Sequence, residues 1–387
     1  MKAIIMCEEF KKVADRAMVV VPKKSSVLLL ETLRVEAKSN MVIISGSDLD
    51  SFVKIKMFAR VIESGVAYIH KEDIKKIYKL AGEVVLESDE KSCTIRNSKK
   101  KSSVLTYKCE DEIKFPEIPA EKAMDITEEN LTSSLSALEC FLSASDSNKM
   151  MTGYFFDGAK ERIVALDGHR IGIKKMECTF VKKDLKVVVP GFTCRHMKKI
   201  ADAKRNKNVS VYADKKYIVF QGDDFIYWSR LLDGEYFKVD SMLDFYADYE
   251  FTLEPEEMKR LAKEYTSVAK GLDKVPMHMV YEKDNNTIHT GIIAANYMTA
   301  DVIEGFDVRE ATGLDKDLVY CFNPKYIMES MQLFKDTVKV KGMYRRNNAG
   351  FAQISPLLFS NDEFISLVLP VNASVDSVER FRNYIAA

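Results

Sequence analysis

Lys186-Val-Val-Val-Pro190 opens the stretch of sequence, residues 186–243, that decides the fold. This short apolar strand runs into a basic helical segment at 191–205. Its apolar residues recur at helical spacing and form a stripe for packing: Cys194, Met197, Ile200 and Ala201. Strand-like segments then follow at 209–213, 217–221 and 225–231. The stretch therefore predicts a helix that packs one face and presents a cationic face, followed by three strands.

The order of strand, helix and three strands occurs twice more in the chain. Residues 66–70 precede a helical segment at 71–81, and residues 318–322 precede another at 323–335. Ile74, Cys194 and Ile327 occupy equivalent positions, 120 and then 133 residues apart. Because a repeat of this spacing divides the 387 residues into thirds, it predicts three domains of one fold.

The first half of each third repeats as well. Each begins with an acidic or polar cap before a helical segment, at 8–19, 128–144 and 256–270. Strands and a polar turn follow each helix, with the turns at 45–48, 165–169 and 293–296. We therefore predict an α+β fold of three similar domains, each with two helices packed on antiparallel sheets. The predicted bounds are 1–119, 120–248 and 249–371, with a C-terminal extension at 372–387.

Composition limits what the chain can do. Its side chains are 47% hydrophobic, and 58 basic and 58 acidic residues sum to a formal charge of zero. A protein that grips nucleic acid mainly through net attraction is therefore not expected. Charge is nevertheless concentrated on two of the repeated helices, since residues 71–81 sum to +2 and residues 191–205 sum to +4.

The seven cysteines contain no Cys-x-x-Cys pair, which predicts reduced thiols and a cytoplasmic chain. No apolar run is long enough for a signal peptide or a membrane helix, so no membrane partner is expected. The five histidines are scattered, and the sequence has neither a phosphate loop nor a metal-ligand spacing. We therefore expect no cofactor and no bound metal.

One segment of the second third resembles a known family. Ile163-Val-Ala-Leu-Asp-Gly-His-Arg-Ile-Gly-Ile173 is similar to the Ala-Thr-Asp-Gly-His-Arg-Leu segment of the bacterial sliding clamp. That protein is the beta subunit of the DNA polymerase III holoenzyme. Other segments resemble the family and occur in its order, at 46–50, 187–190, 225–234, 322–326 and 367–370. The resemblance covers residues 1 to about 371.

A sliding clamp has three domains of like topology, and two subunits join head to tail into a closed ring. The resemblance therefore implies a homodimer that encircles double-stranded DNA and confers processivity on the replicative DNA polymerase. Twelve helices would line a bore of about 28 Å, which admits a duplex about 20 Å across. Enclosure would explain the neutral charge, because every tight phosphate contact must be broken at each step of sliding.

The resemblance also implies two sets of site residues. The basic residues expected to face DNA are Lys24, Lys75, Lys79, Arg195, Lys199, Arg205 and Lys259. A hydrophobic groove between the second and third domains would dock peptides of the polymerase catalytic subunit and of the clamp loader. The groove residues are expected to be Met151, Leu166, Gly168, His169, Arg170, Ile171, Phe237, Met242, Tyr326, Leu367, Leu369, Pro370 and Val371. Ring closure is expected to use 103–108 and 297–303, near Leu272.

The chain departs from the family at the groove and at its end. At three groove positions where the family has Thr, Pro and Arg, this chain has Leu166, Phe237 and Ser241. We therefore expect a different partner preference and a subsite narrowed by Phe237. The C-terminal extension has apolar side chains at helical spacing and predicts a short helix packed on the nearby surface. The alternative is that Phe381 or Tyr384 enters the groove and competes with partners.

Two other function classes stay open from the sequence alone. Asp167 and His169 lie two apart in a strand, so their side chains could share a face and, with Arg170, form the acid, base and anion clamp of a hydrolase. No nucleophile motif accompanies them. The other class is a clamp-fold scaffold that has lost ring closure. A native mass near 44.1 kDa would favour one of these two, and twice that mass would favour a ring.

Overall fold

The computed structural model describes residues 1–89, 92–99, 101–106, 112–201, 206–244, 246–268, 275–284, 286–293, 302–345 and 352–386. Eight α-helices lie in these ranges. They are α1 Cys7–Ala17, α2 Lys71–Ile77, α3 Glu128–Leu138, α4 Phe192–Ile200, α5 Val239–Leu243, α6 Pro255–Val268, α7 Pro324–Met331 and α8 Val375–Ala386.

The strands of the described residues are short, and each recorded pairing between them is antiparallel. From the N-terminus they are β1 Lys2–Met6, β2 Thr32–Lys38, β3 Met41–Ser47, β4 Ser51–Phe58, β5 Arg60–Glu63, β6 Gly65–His70, β7 Glu83–Ser88, β8 Ser92–Arg96 and β9 Lys101–Leu105. The middle strands are β10 Lys122–Thr127, β11 Gly153–Asp157, β12 Arg162–Leu166, β13 Arg170–Lys175, β14 Thr179–Phe180, β15 Lys186–Pro190, β16 Asn208–Ala213, β17 Tyr217–Gln221 and β18 Phe225–Arg230. The last are β19 Tyr249–Leu253, β20 Met277–Glu282, β21 Thr287–Ile292, β22 Val302–Asp307, β23 Arg309–Thr312, β24 Leu318–Phe322, β25 Val338–Gly342, β26 Leu357–Ser360 and β27 Phe364–Val368.

The predicted α+β class, with helices on antiparallel sheets, is confirmed. The stretch at 186–243 forms β15, α4 and the strands β16, β17 and β18 in the predicted order. The repeat predicts three strands after the helical segment at 323–335, with the second at 350–354. That prediction is wrong, because the described residues of 350–354 do not form a strand and β26 begins at Leu357. The division into three domains stays a prediction, because the described chain separates into two compact units.

The first compact unit contains residues 1–135, 156–161 and 177–233. Its larger sheet has the order β14-β10-β16-β17-β18-β4-β3-β2-β6, and its smaller sheet has the order β5-β1-β7-β8-β9. α1 is a typical amphipathic helix, since Phe10, Val13, Ala14 and Ala17 are buried at helical spacing. Its last turn is fixed by Arg16, which donates to the Ile200 carbonyl at 2.8 Å and bonds both Asp224 oxygens, at 2.7 and 2.9 Å.

The second compact unit contains residues 136–155, 162–176 and 234–387. Seven of its strands form one sheet in the order β12-β13-β27-β26-β25-β19-β23, and four form another in the order β22-β21-β20-β24. α6 and α7 pack on each other. α8 covers the four-stranded sheet through the buried side chains of Val378 and Phe381.

Each unit contains a place where strands distant in the sequence join one sheet. In the first unit β4 pairs with β18, with Phe52 opposite Trp228, and we call this the first junction. In the second unit β13 pairs with β27, with Ile171 opposite Leu367, and we call this the second junction. The two pairings have the same register. Trp228 is the fourth residue of the strand that begins at Phe225, and Leu367 is the fourth residue of the strand that begins at Phe364.

Candidate functional site

A cavity of about 260 Å³ lies at the second junction. Its walls come from β12, β13, α5, the end of β27 and the loops beside them. The lining residues are Met151, Leu166, Gly168, His169, Arg170, Ile171, Phe237, Met242, Pro356, Leu367 and Leu369. Only two of these side chains are ionisable, so the cavity is an apolar surface with a polar edge.

The structure brings together ten of the thirteen predicted groove residues as lining of this cavity. Tyr326 does not line the cavity itself, but its ring stacks on the lining residue His169 at a centroid distance of 5.7 Å. Pro370 and Val371 follow Leu369 and do not belong to the lining. Pro356 lines the cavity and was not predicted from the sequence. The repeat could have indicated it, because Pro356 is equivalent to Tyr217 at the start of β17.

Strand alternation builds the floor of the cavity. Ile171 and Leu367 are directly opposite each other in the ladder, so their side chains point to the same face of the sheet. Val239 of α5 inserts beside them, and Ile173 and Val164 complete a buried cluster. Burial of such side chains stabilises the second unit and leaves the cavity as the unfilled part of that face.

A tight turn brings polar groups to the edge of the cavity. Gly168 has a φ of +87°, in the left-handed region that favours glycine. The Asp167 carboxylate accepts hydrogen bonds from the backbone amides of His169 and Arg170, at 3.0 and 3.1 Å. The His169 carbonyl accepts one from the Leu369 amide at 2.9 Å. The turn therefore fixes both the polar edge and the end of the strand that supplies Leu367.

Arg170 is a buried cation, with only 4% of its surface exposed. Its guanidinium pairs with Asp167 at 3.0 Å and with Glu329 at 2.6 Å, and it also donates to the Cys140 carbonyl. The rings of Phe141 and Tyr326 lie against it, with their centroids 4.9 and 4.4 Å from Cζ. Burial lowers the pKa of Arg170, but Glu329 and Asp167 outweigh it and the pKa is raised overall.

These contacts do not give Asp167, His169 and Arg170 the arrangement that a hydrolase would need. The Asp167 carboxylate is engaged by two backbone amides and by Arg170, and the His169 ring stacks on Tyr326. In the part of the chain that the structure describes, Asp167 bonds the His169 backbone amide and the Arg170 side chain, and the His169 ring is not among its partners. Across the same residues no cluster of three or more His, Cys, Asp or Glu could hold a metal ion. The arrangement can bind apolar groups and has no assembled acid and base.

The predicted DNA-facing residues lie mostly on exposed helix surface. Lys75, Lys79, Arg195 and Lys199 are exposed in or just after α2 and α4, and α1 packs against both helices. Lys24 is exposed in the segment that follows α1.

Two of these lysines are paired with carboxylates of their own helices. Lys75 lies 2.8 Å from Glu72, and Lys259, which is half-buried, lies 2.7 Å from Glu256. Arg205 lies outside the described residues, as do residues 107–108, 272 and 297–301 of the segments expected to close a ring. Among the helices described, none is both long and apolar enough to cross a membrane.

Comparison with known proteins first defines the class. The family model for the central domain of the DNA polymerase III beta subunit matches residues 125–238. The sliding clamp of Bacillus subtilis strain 168 is 21% identical over 394 residues, covering 96% of this chain and 99% of that protein. Together with the α+β fold, these matches make the chain similar to the DNA polymerase III beta subunits, the sliding clamps of bacteria.

Solved structures agree along the whole length. A chain from Eubacterium rectale, assigned as a DNA polymerase III beta subunit, has a TM-score of 0.85 at 25% identity and covers 96% of this chain and 99% of its own. The beta clamp of Helicobacter pylori, solved with a DNA ligase peptide, has a TM-score of 0.80 at 17% identity, covering 96% and 100%. The chain is therefore a divergent match to the beta sliding clamps along nearly its full length.

Proposed function

We propose that the chain is a cytoplasmic sliding clamp that encircles double-stranded DNA as a homodimer and confers processivity on a replicative DNA polymerase. Similarity to clamps over 96% of the chain supports this. The exposed lysines and arginines of α2 and α4, on a chain of zero net charge, suit loose contact with phosphates rather than tight binding. A clamp loader would open and close the ring.

We also propose that the cavity at the second junction docks peptides of the polymerase and of the loader. The observation that carries this is the cavity itself, an apolar space of about 260 Å³ with its polar groups at one edge. A related clamp was solved with a ligase peptide. Leucine and phenylalanine side chains of a short peptide would fill such a space and would exclude water from it.

Retention on DNA of two topologies tests the encirclement. The chain is loaded by its clamp loader onto nicked circular DNA, and the complex is washed at a salt concentration that removes electrostatic binding. We expect retention on the circle and release once a restriction enzyme makes the DNA linear. Equal retention on both forms, or a native mass of one subunit, would contradict the proposal and favour a clamp-fold scaffold.

A further inference from the structure

The C-terminal extension forms a helix that packs away from the cavity. Phe381 is fully buried and Val378 is 2% exposed, in a cluster with Val280, Val319 and Cys321 of the four-stranded sheet. The expectation of a short packed helix is therefore confirmed. The alternative that Phe381 or Tyr384 enters the groove is wrong, because the Phe381 ring is enclosed by this sheet and Tyr384, 53% exposed, is not among the residues that line the cavity.

A buried histidine anchors the helix. The ring of Phe381 stacks on His278 of β20 at a centroid distance of 5.2 Å, with an interplanar angle of 16°. The Ser377 hydroxyl lies 3.2 Å from Nε2 of the same ring. Ser374 caps the helix, since its Oγ accepts a hydrogen bond from the Ser377 amide at 3.2 Å. Ring stacking, a hydrogen bond and apolar packing therefore hold α8 on one sheet.

The segment that joins α8 to the cavity is short and held at both ends. Leu369, which lines the cavity, donates its amide to the His169 carbonyl at 2.9 Å. Two residues later Val371 donates to the Cys321 carbonyl at 2.8 Å. Leu369 and Val371 are 38% and 36% exposed, so packing covers each of them only in part. Only three residues then separate Val371 from the start of α8.

We propose that α8 is a brace that holds residues 369–371 in place and so positions Leu369 in the wall of the peptide cavity. The proposal rests on the proposed docking function and adds a positioning element to it. With α8 anchored, the chain end cannot withdraw from the Cys321 carbonyl, so the cavity wall is ordered before a peptide arrives. A preordered wall spares the peptide the entropic cost of ordering it. Without α8, Val371 is a frayed chain end.

The test compares three variants of the full chain with the wild type. Phe381→Ala removes the buried anchor, and deletion of 374–387 removes the whole brace. Tyr384→Ala is the matched control, because it removes an aromatic ring of the same helix that is 53% exposed. A Phe381→Leu variant keeps an apolar anchor should the alanine variant fold poorly. The readouts are affinity for a peptide with leucine and phenylalanine anchors and amide hydrogen exchange at 369–371.

We expect Phe381→Ala and the deletion to weaken peptide binding about three- to tenfold and to speed exchange at Leu369 and Val371 at least about tenfold. Tyr384→Ala should change neither, and Phe381→Leu should lie between. Wild-type affinity and wild-type exchange in the deletion variant would overturn the proposal. Failure of the wild-type chain to bind the peptide would instead contradict the docking function, and the exchange measurement tests the brace without any peptide.

Discussion

At the first junction Phe52 lies opposite Trp228, and the ring of Phe115 packs edge-on against both, at centroid distances of 5.5 and 6.0 Å. Tyr217 adds a fourth ring, 6.1 Å from Phe52. The equivalent positions of the second junction hold the smaller Ile171, Leu367 and Pro356, and the cavity of about 260 Å³ lies over them. One register therefore gives a filled face or a face with an open cavity, depending on side-chain volume.

The two junctions also differ in the polar contacts made by equivalent residues. His196 of α4 and Glu329 of α7 are equivalent, 133 residues apart like Cys194 and Ile327. His196 lies 2.9 Å from the Tyr227 hydroxyl, a neutral contact, whereas Glu329 pairs with the buried Arg170. The first junction is thus held by aromatic packing, by the neutral His196–Tyr227 contact and by Lys54, whose Nζ lies 4.5 Å from the centre of the Phe115 ring. The second has a buried ion pair beneath an open cavity.

The largest expected effect comes from removing that ionic group. Arg170→Leu leaves Asp167 and Glu329 without their shared cation, in surroundings where each side chain is at most 15% exposed. We expect the free energy of unfolding to fall by about 3–5 kcal/mol, the usual cost of breaking a buried ion pair. Urea denaturation followed by circular dichroism measures it.

Arg230→Leu is the control for this variant. Arg230 is 57% exposed and pairs with Asp50 at 3.6 Å, so its loss should cost less than about 1 kcal/mol. Equal losses in the two variants would mean that Arg170 has no special role beneath the cavity.

Opening the first junction is the next test. Trp228 is the only tryptophan in the chain, and it is 2% exposed. Trp228→Leu places the residue of the second junction in the first, and we expect the free energy of unfolding to fall by about 2–4 kcal/mol through lost packing. Peptide affinity, measured by calorimetry, should stay at the wild-type value. A parallel loss of affinity would show that the junctions are not independent.

A pH series tests the neutral contact at the first junction. Burial, with Arg195 and Lys199 nearby, lowers the pKa of His196 to about 4, whereas an unfolded histidine has a pKa of about 6.5. A base with a lowered folded-state pKa stabilises the fold above pH 6.5 and loses that stability as the pH falls toward 4. We expect a loss of about 2 kcal/mol between pH 7 and pH 5. His196→Gln cannot titrate, so a wild-type acid response in this variant would exclude the assignment.

The smallest expected effect concerns the shape of the cavity. Phe237 lines it where the resemblance implies a proline, and we expect the bulkier ring to narrow one subsite. Phe237→Pro should tighten binding of a peptide with leucine and phenylalanine anchors about two- to fivefold, by widening that subsite. Ser241→Ala, outside the lining, is the control. A weaker complex in the Phe237 variant would mean that the ring contributes contacts and does not obstruct.

Sequence periodicity predicted the fold well, because the helices and strands recur in a fixed order and each repeat checks the others. Prediction of the candidate site depended more on the resemblance. It named ten residues that line the cavity and missed Pro356. The closed first junction was beyond prediction, since Phe115 lies in a linker without a periodic pattern. An apolar stripe likewise predicted that α8 packs, but a stripe does not say which surface receives it, and only the fold places Phe381 on His278.

A titration of wild-type and Leu367→Trp chains with the same anchor peptide tests the central claim most directly. Leu367 is the cavity floor, and tryptophan is the residue that stands at its place in the filled first junction. We expect the wild-type chain to bind one peptide per subunit and the variant to bind at least about tenfold more weakly, a loss of about 1.4 kcal/mol, with unchanged circular dichroism. Wild-type affinity in a folded Leu367→Trp variant would contradict docking at the second junction.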